Sequence, residues 1–203
     1  MLLIGRNQSP YTRRVAIWCA LQDRAVERKQ LAARDPANAA EITRYNPGLR
    51  VPILVLDDGT PLIETATICD WLDETAPEGK RLVPATGVAR RDCMQRIALA
   101  HQTTEKLVTL VYETLRRPAE YHWPDYQAGV RGQVEGGLGA LEAMVPDGFF
   151  GGDTPDGSDV TTVCAWQMAE TTAPHIVSGR YPRLGDFAAR MMAFPAVAET
   201  YPA

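Results

Sequence analysis

Short apolar runs alternate with stretches of helical period along the first third of the chain. Leu2-Leu3-Ile4 is an apolar run of strand length. Val15-Ala16-Ile17-Trp18-Cys19-Ala20-Leu21 reads as a helix. Between them Ser9 offers a hydroxyl N-cap and Pro10 fills the first helical position. Residues 25–31 read as a second strand with imperfect alternation. Asp35-Pro36 opens a helical stretch over 37–45, with Asp35 as cap, and Asn46-Pro47-Gly48 breaks it. Val51-Pro52-Ile53-Leu54-Val55-Leu56 is β-rich and ends at Asp57-Asp58-Gly59, a hairpin turn that returns the chain as Pro61-Leu62-Ile63. Glu64-Thr65-Ala66-Thr67 then starts a helix with Ile68, Trp71 and Leu72 on its apolar face. The order β-α-β-α-β-β-α predicts parallel pairing from the strand–helix–strand unit and an antiparallel strand from the late hairpin, a small α/β sandwich.

The rest of the chain has no strand pattern. Pro77, Gly79, Pro84 and Gly87 mark an interdomain linker over 77–88, between an α/β domain at 1–76 and an all-α domain at 89–203. One long amphipathic helix is predicted from Ala89 to about Leu115, with Cys93, Ile97, Ala100, Thr104, Leu107/Val108, Val111 and Leu115 on its apolar face, before Pro118. A second runs over 123–145 on Val130, Val134, Leu138, Leu141 and Val145. Its Gly132, Gly136, Gly137 and Gly139 weaken it and predict close helix packing. Asp156, three residues before Asp159, predicts a capping box and gives Asp159 a structural role. Short helices are predicted over 182–192 and 195–200.

Composition narrows the function classes. The 203 residues suffice for one large domain or two small ones, and a net charge of −4 without a basic run excludes a general nucleic-acid surface. The longest apolar runs fall short of a membrane span, and the opening apolar run is too short for a signal peptide core. Cys19, Cys69, Cys93 and Cys164 are widely spaced among apolar neighbours, which predicts buried reduced thiols in a cytoplasmic protein. No C-x-x-C occurs, and His101, His122 and His175 lack metal-ligand spacing, so no metal is expected.

The start of the first helix is the place where chemistry concentrates. Free N–H groups and the helix dipole favour an anion there, and the Ser9 hydroxyl either caps the helix or donates to that anion. Pro52 is either an ordinary trans proline at a strand entrance or a cis residue that leaves the Val51 backbone open to an extended ligand.

Ser9-Pro10-x-x-Arg13-Arg14-Val15, Asn46-Pro47-x-x-Arg50-Val51-Pro52-Ile53-Leu54 and Leu62-Ile63-Glu64-Thr65-x-x-Ile68 occur in this order over the first 75 residues. Together they resemble the N-terminal domain of a glutathione transferase of the serine-using, bacterial or theta–zeta-like type, and the helical remainder resembles that family's second domain. The resemblance implies an α/β thioredoxin-like domain followed by an all-α domain. It implies glutathione as co-substrate, with Val51 beside cis-Pro52 pairing with the cysteinyl part, Glu64 accepting from the γ-glutamyl ammonium and Thr65 holding the γ-glutamyl carboxylate. Arg50 is either a carboxylate ligand or a solvated surface charge. The family usually has serine where Thr65 stands, and often glycine then lysine where Leu49 and Arg50 stand. Ser9 would donate to the sulfur, with Tyr11 as the rival donor.

A small hydrophobic electrophile would occupy an apolar pocket between the domains, with Tyr11, Tyr112 and Trp166 as candidates and core packing as the alternative for each. The reaction would be conjugation or peroxide reduction, a detoxifying activity. A zeta-type maleylacetoacetate-like isomerase is the second reading, although that type's Ser-Ser-Cys is here Gln8-Ser9-Pro10. A non-catalytic binding module is the third. A homodimer is implied by the resemblance alone.

Overall fold

The computed structural model describes residues 1–201. Two compact units divide the chain: Met1–Leu82 together with the chain from Ala193, and Val83–Met192.

The first unit is built on strands β1 (Leu2–Ile4), β2 (Glu27–Lys29), β3 (Ile53–Val55) and β4 (Pro61–Ile63). They form one sheet in the order β2-β1-β3-β4. β2 lies parallel to β1, as a strand–helix–strand crossover requires, and β3 runs antiparallel to both β1 and β4. Helices α1 (Pro10–Leu21), α2 (Ala39–Tyr45) and α3 (Thr65–Glu74) complete the α/β part. A 3₁₀ turn at Pro36–Asn38, capped by Asp35, leads into α2. Strand alternation splits the core into two layers. Ile4 and Ile53 pack with Ile42 of α2, and Val51, Val55 and Tyr45 close around them. Leu3 and Leu54, paired in register and fully buried, face the other way. There α1 packs on α3, and the buried carboxylate of Asp73 joins them: it accepts from Trp18 Nε1 and Gln22 Nε2, both at 2.8 Å.

The second unit is all helical: α4 (Gly87–Val111), α5 (Pro124–Met144), α6 (Gly157–Thr172), α7 (Pro174–Val177) and α8 (Pro182–Met191). α6 is its centre, buried continuously from Gly157 to Ala169, and α4 packs along both α5 and α6. The predicted capping box is present: Asp156 accepts from the N–H of Ser158 and Asp159, and Asp159 accepts from Asp156 N–H. α7 had no counterpart in the sequence pattern. A final helix, α9 (Pro195–Ala198), belongs to the first unit.

Two helix expectations are corrected. The long stripe of α4 does not reach Leu115, which is 66% exposed. The chain widens into a π-turn at Tyr112–Arg116, closed by Arg117 N–H on Tyr112 O at 2.8 Å, and the extra residue rotates later positions off the apolar face. Close packing explains only one of the α5 glycines. A Cβ on Gly137 would stand 2.2 Å from Thr103 Oγ1 of α4, whereas Gly132, Gly136 and Gly139 face open space.

Candidate active site

Three segments leave the same end of the sheet. Ile4 pairs with Ile53 and Ile53 with Ile63, so the three stand in one row. Ile4 ends β1, and residues 5–9 lead from it to α1. Ile53 begins β3, and Val51–Pro52 precedes it. Ile63 ends β4, and Glu64 and Thr65 follow. The register therefore brings Ser9, Val51, Pro52, Glu64 and Thr65 to one end of the first unit.

Each segment is shaped locally. Gly5 (φ 134°) lets β1 turn so close to α1 that a Cβ would lie 2.3 Å from Thr12 Oγ1. Ser9 is extended at φ −81°, and its Oγ accepts the Thr12 N–H at 3.3 Å. That capping bond uses a lone pair and leaves the hydroxyl proton available to another acceptor. The first turn of α1 holds no acid, so its positive end is not neutralised from within.

The second segment is held by Asn46, whose amide donates to Arg50 O at 3.0 Å while its Oδ1 accepts Gly48 N–H at 2.9 Å. The Val51–Pro52 bond is cis. Val51 stands outside the ladder that starts at Ile53, so its backbone groups are not committed to a strand partner. Arg50 is exposed and makes no ion pair among the described residues. In the third segment Glu64 caps α3 and accepts Thr65 N–H at 2.9 Å. Thr65 is buried, and its Oγ1 has no hydrogen-bond partner among the described residues.

Comparison with known proteins places the first domain. A family model described as "Glutathione S-transferase, N-terminal domain" matches residues 8–75, a span that runs from the end of the first segment, Ser9 included, through the second and third. Residues 8–75 therefore belong to the glutathione S-transferase N-terminal domain family. A glutathione transferase family member from Pseudomonas fluorescens Pf-5, solved with bound glutathione, is 27% identical with a TM-score of 0.84, over 100% of this chain and 98% of that one. A glutathione S-transferase from Methylobacillus flagellatus KT with glutathione bound is 25% identical with a TM-score of 0.90, over 100% and 99%. At 24% identity, a glutathione S-transferase from Methylobacterium radiotolerans JCM 2831 in complex with glutathione sulfonate shares the fold, with a TM-score of 0.91 over 99% and 94%. No curated protein matches the sequence.

The superfamily's two-part architecture, thioredoxin-like then helical, is the fold seen here. Of the residues predicted to meet a second substrate, Tyr11 is half-buried in α1 of the first unit. Tyr112 and Trp166 lie in the second. Tyr112 is 55% exposed at the π-turn, and Trp166 is buried in α6 with its ring edge-on to Tyr181 at 6.2 Å.

Other groups are structural. All four cysteines are buried; burial pushes the Cys19 thiol up to about 11 and the Cys93 thiol up to about 12, which suppresses thiolate chemistry at both. Among the described residues no cluster of His, Cys, Asp and Glu is arranged to hold a metal, and no helix is long and apolar enough to cross a membrane. Two residues of the quoted motifs have structural roles that the sequence did not assign. Asn46 was visible as Asn-Pro-Gly, which favours the Asx turn now seen. Arg13 gave a weaker signal, one of two adjacent charges in a largely apolar helix. It is 1% exposed, donates to Thr200 Oγ1 at 3.3 Å and Val197 O at 3.2 Å, and stacks on Tyr201.

Proposed function

We propose that the protein is a glutathione transferase that activates the tripeptide's thiol against Ser9 for attack on small hydrophobic electrophiles. The observation that carries this reading is the row Ile4, Ile53, Ile63, which gathers an anion-favouring helix start, a backbone uncommitted to a strand partner and a second helix start at one end of the sheet. Glutathione offers a matching set: a thiol, a cysteinyl backbone and an amino-acid head group. The glutathione held by the Pseudomonas fluorescens and Methylobacillus flagellatus proteins supports the assignment.

In this reading Thr65 binds the γ-glutamyl carboxylate through its N–H and hydroxyl, at the positive end of α3. Glu64 accepts from the ammonium, and Val51 pairs with the cysteinyl part through its backbone. Arg50, exposed and without an ion-pair partner, reaches a carboxylate of the tripeptide. Ser9 is a donor, not a base. Its oxygen already accepts Thr12 N–H, which leaves its proton available to donate to the sulfur. An ordinary thiol loses its proton near pH ~8.5. At a helix start the value falls to roughly 3.5–7.5, because the thiolate meets free N–H groups and the dipole. Arg13 and Arg14 add positive charge to the same helix and meet no carboxylate among the described residues. The proton leaves to solvent. The thiolate then forms the sulfur–carbon bond as the electrophile's leaving group departs with its electron pair.

The test is Ser9→Ala assayed with an activated aryl halide. Turnover is expected to fall about 10- to 100-fold, the loss of one hydrogen bond to a charged group, with little change in KM for glutathione. The pKa governing the rate should also climb towards the free-thiol value of about 8.5. Wild-type turnover in the variant would remove Ser9 from the mechanism.

A further inference from the structure

Glu64 is a non-glycine residue at φ 70° and ψ 126°, where β4 hands over to α3. In that conformation its carboxylate folds onto its own helix and accepts the Thr65 N–H at 2.9 Å. The first turn of α3 contains no other acid. Beside this bond the Thr65 hydroxyl is buried, 1% exposed as a residue, and has no partner among the described residues. One of the two donors through which Thr65 would take a ligand carboxylate is thus already held by a carboxylate of the protein, while the other is unmet.

A ligand carboxylate that takes the Thr65 N–H must therefore displace that of Glu64. For a bare carboxylate the exchange gains little. One charge-assisted bond replaces another, and two like charges are left close together. The balance changes when the ligand carries an ammonium beside its carboxylate. Glu64 then leaves the helix end for a new cationic partner, and the repulsion becomes attraction.

From this we infer that Glu64 is a specificity residue acting by exchange: it holds the Thr65 N–H against lone carboxylates and yields it only to a ligand presenting a free α-amino-acid head group. The inference rests on the glutathione reading and deepens it, because it says how ligands lacking the amine are rejected. Glu64 is both competitor and partner, where a residue that merely bound the ammonium would be partner alone.

The two roles separate in a calorimetric titration with two ligands: glutathione, and glutaryl-cysteinyl-glycine, the same tripeptide with hydrogen in place of the amine. Wild-type protein should bind glutathione at least about tenfold more tightly than the glutaryl compound. In Glu64→Ala, glutathione should weaken and the glutaryl compound should tighten by about tenfold relative to wild type, since its competitor is gone. Glu64→Gly, which accommodates a positive φ, should behave as Glu64→Ala does and guards against a folding defect in the alanine variant. If the variants lose glutathione affinity but hold the glutaryl compound no better than wild type does, the competing role is wrong while the glutathione reading stands. If wild-type protein binds neither compound, the glutathione reading falls and the exchange with it.

Discussion

Gly5 shows how a single residue fixes the distance between a strand and the helix that carries the candidate nucleophile-binding group. Its φ of 134° is a region other residues rarely adopt, and Thr12 Oγ1, Cγ2 and Cβ would stand 2.3, 2.9 and 3.1 Å from an added Cβ. Thr12 is fully buried on α1, one turn from Ser9, so it has no room to move aside. Gly5→Ala should cost about 2–5 kcal/mol, backbone strain and overpacking together, measured by urea unfolding. Thr12→Ala in the same chain removes the two nearest atoms and should return the overpacking share, while the strain remains. A double-mutant cycle with no coupling would show that the contact is not the cause. The sequence displayed Gly5 but not this reason for it. A glycine after a strand is ordinary, and only the packing of Thr12 makes it necessary.

At the scale of elements, α6 and its cap are the clearest case of a feature read correctly from spacing. Asp156 and Asp159 predicted the box, and the structure adds that Asp159 also gathers Phe150 N–H at 2.9 Å and Gly151 N–H at 3.1 Å. Asp159→Ala would leave three N–H groups without this acceptor, each worth about 1–3 kcal/mol, so a loss of several kcal/mol is expected in urea unfolding of the second unit. Asp159→Asn, which keeps an acceptor oxygen, should lose less. Burial pushes the Asp159 carboxyl up to about 6. An unfolded aspartate titrates near ~3.9, so between about pH 4 and 6 the folded protein holds a proton that the unfolded chain has released. This group's contribution is therefore present at low pH and is lost as pH rises through 6, the reverse of a salt-bridged aspartate. The stability advantage of wild type over Asp159→Asn should grow on going from pH 7 to 5, by at most about 1.4 kcal/mol per pH unit. A pH-independent difference would mean that burial does not raise this carboxyl. Elements with strong local signals were legible: β1, the start of α1, the β3–β4 turn and the cap of α6. The π-turn after α4 was not, because Thr114 and Leu115 continue the helical period and the change of winding has no composition of its own. The α5 glycines were misread for a related reason: spacing says where they lie on the helix, not which of them meets Thr103.

For the molecule as a whole, the apolar pattern located helices without saying what they pack on. The segment from Ala193 reads as the last short helix of the all-α domain at 89–203, yet it groups with the α/β unit. The residue responsible is Arg13, buried on α1, with Val197 O and Thr200 Oγ1 as hydrogen-bond acceptors and Tyr201 stacked beneath the guanidinium. A buried cation needs acceptors, and here the last segment of the described chain supplies them. Deleting residues 193 onward should therefore destabilise the first unit by about 1.5–3 kcal/mol for each hydrogen bond lost to the charged group. The loss should appear as faster hydrogen exchange in α1 and α3, with α5 unchanged. In an Arg13→Ala background the same deletion should cost much less, because no buried charge is left to strand. If the deletion costs as much without Arg13 as with it, the segment is held by the packing of Val197 alone, and α1 does not depend on the chain's end for its charge balance.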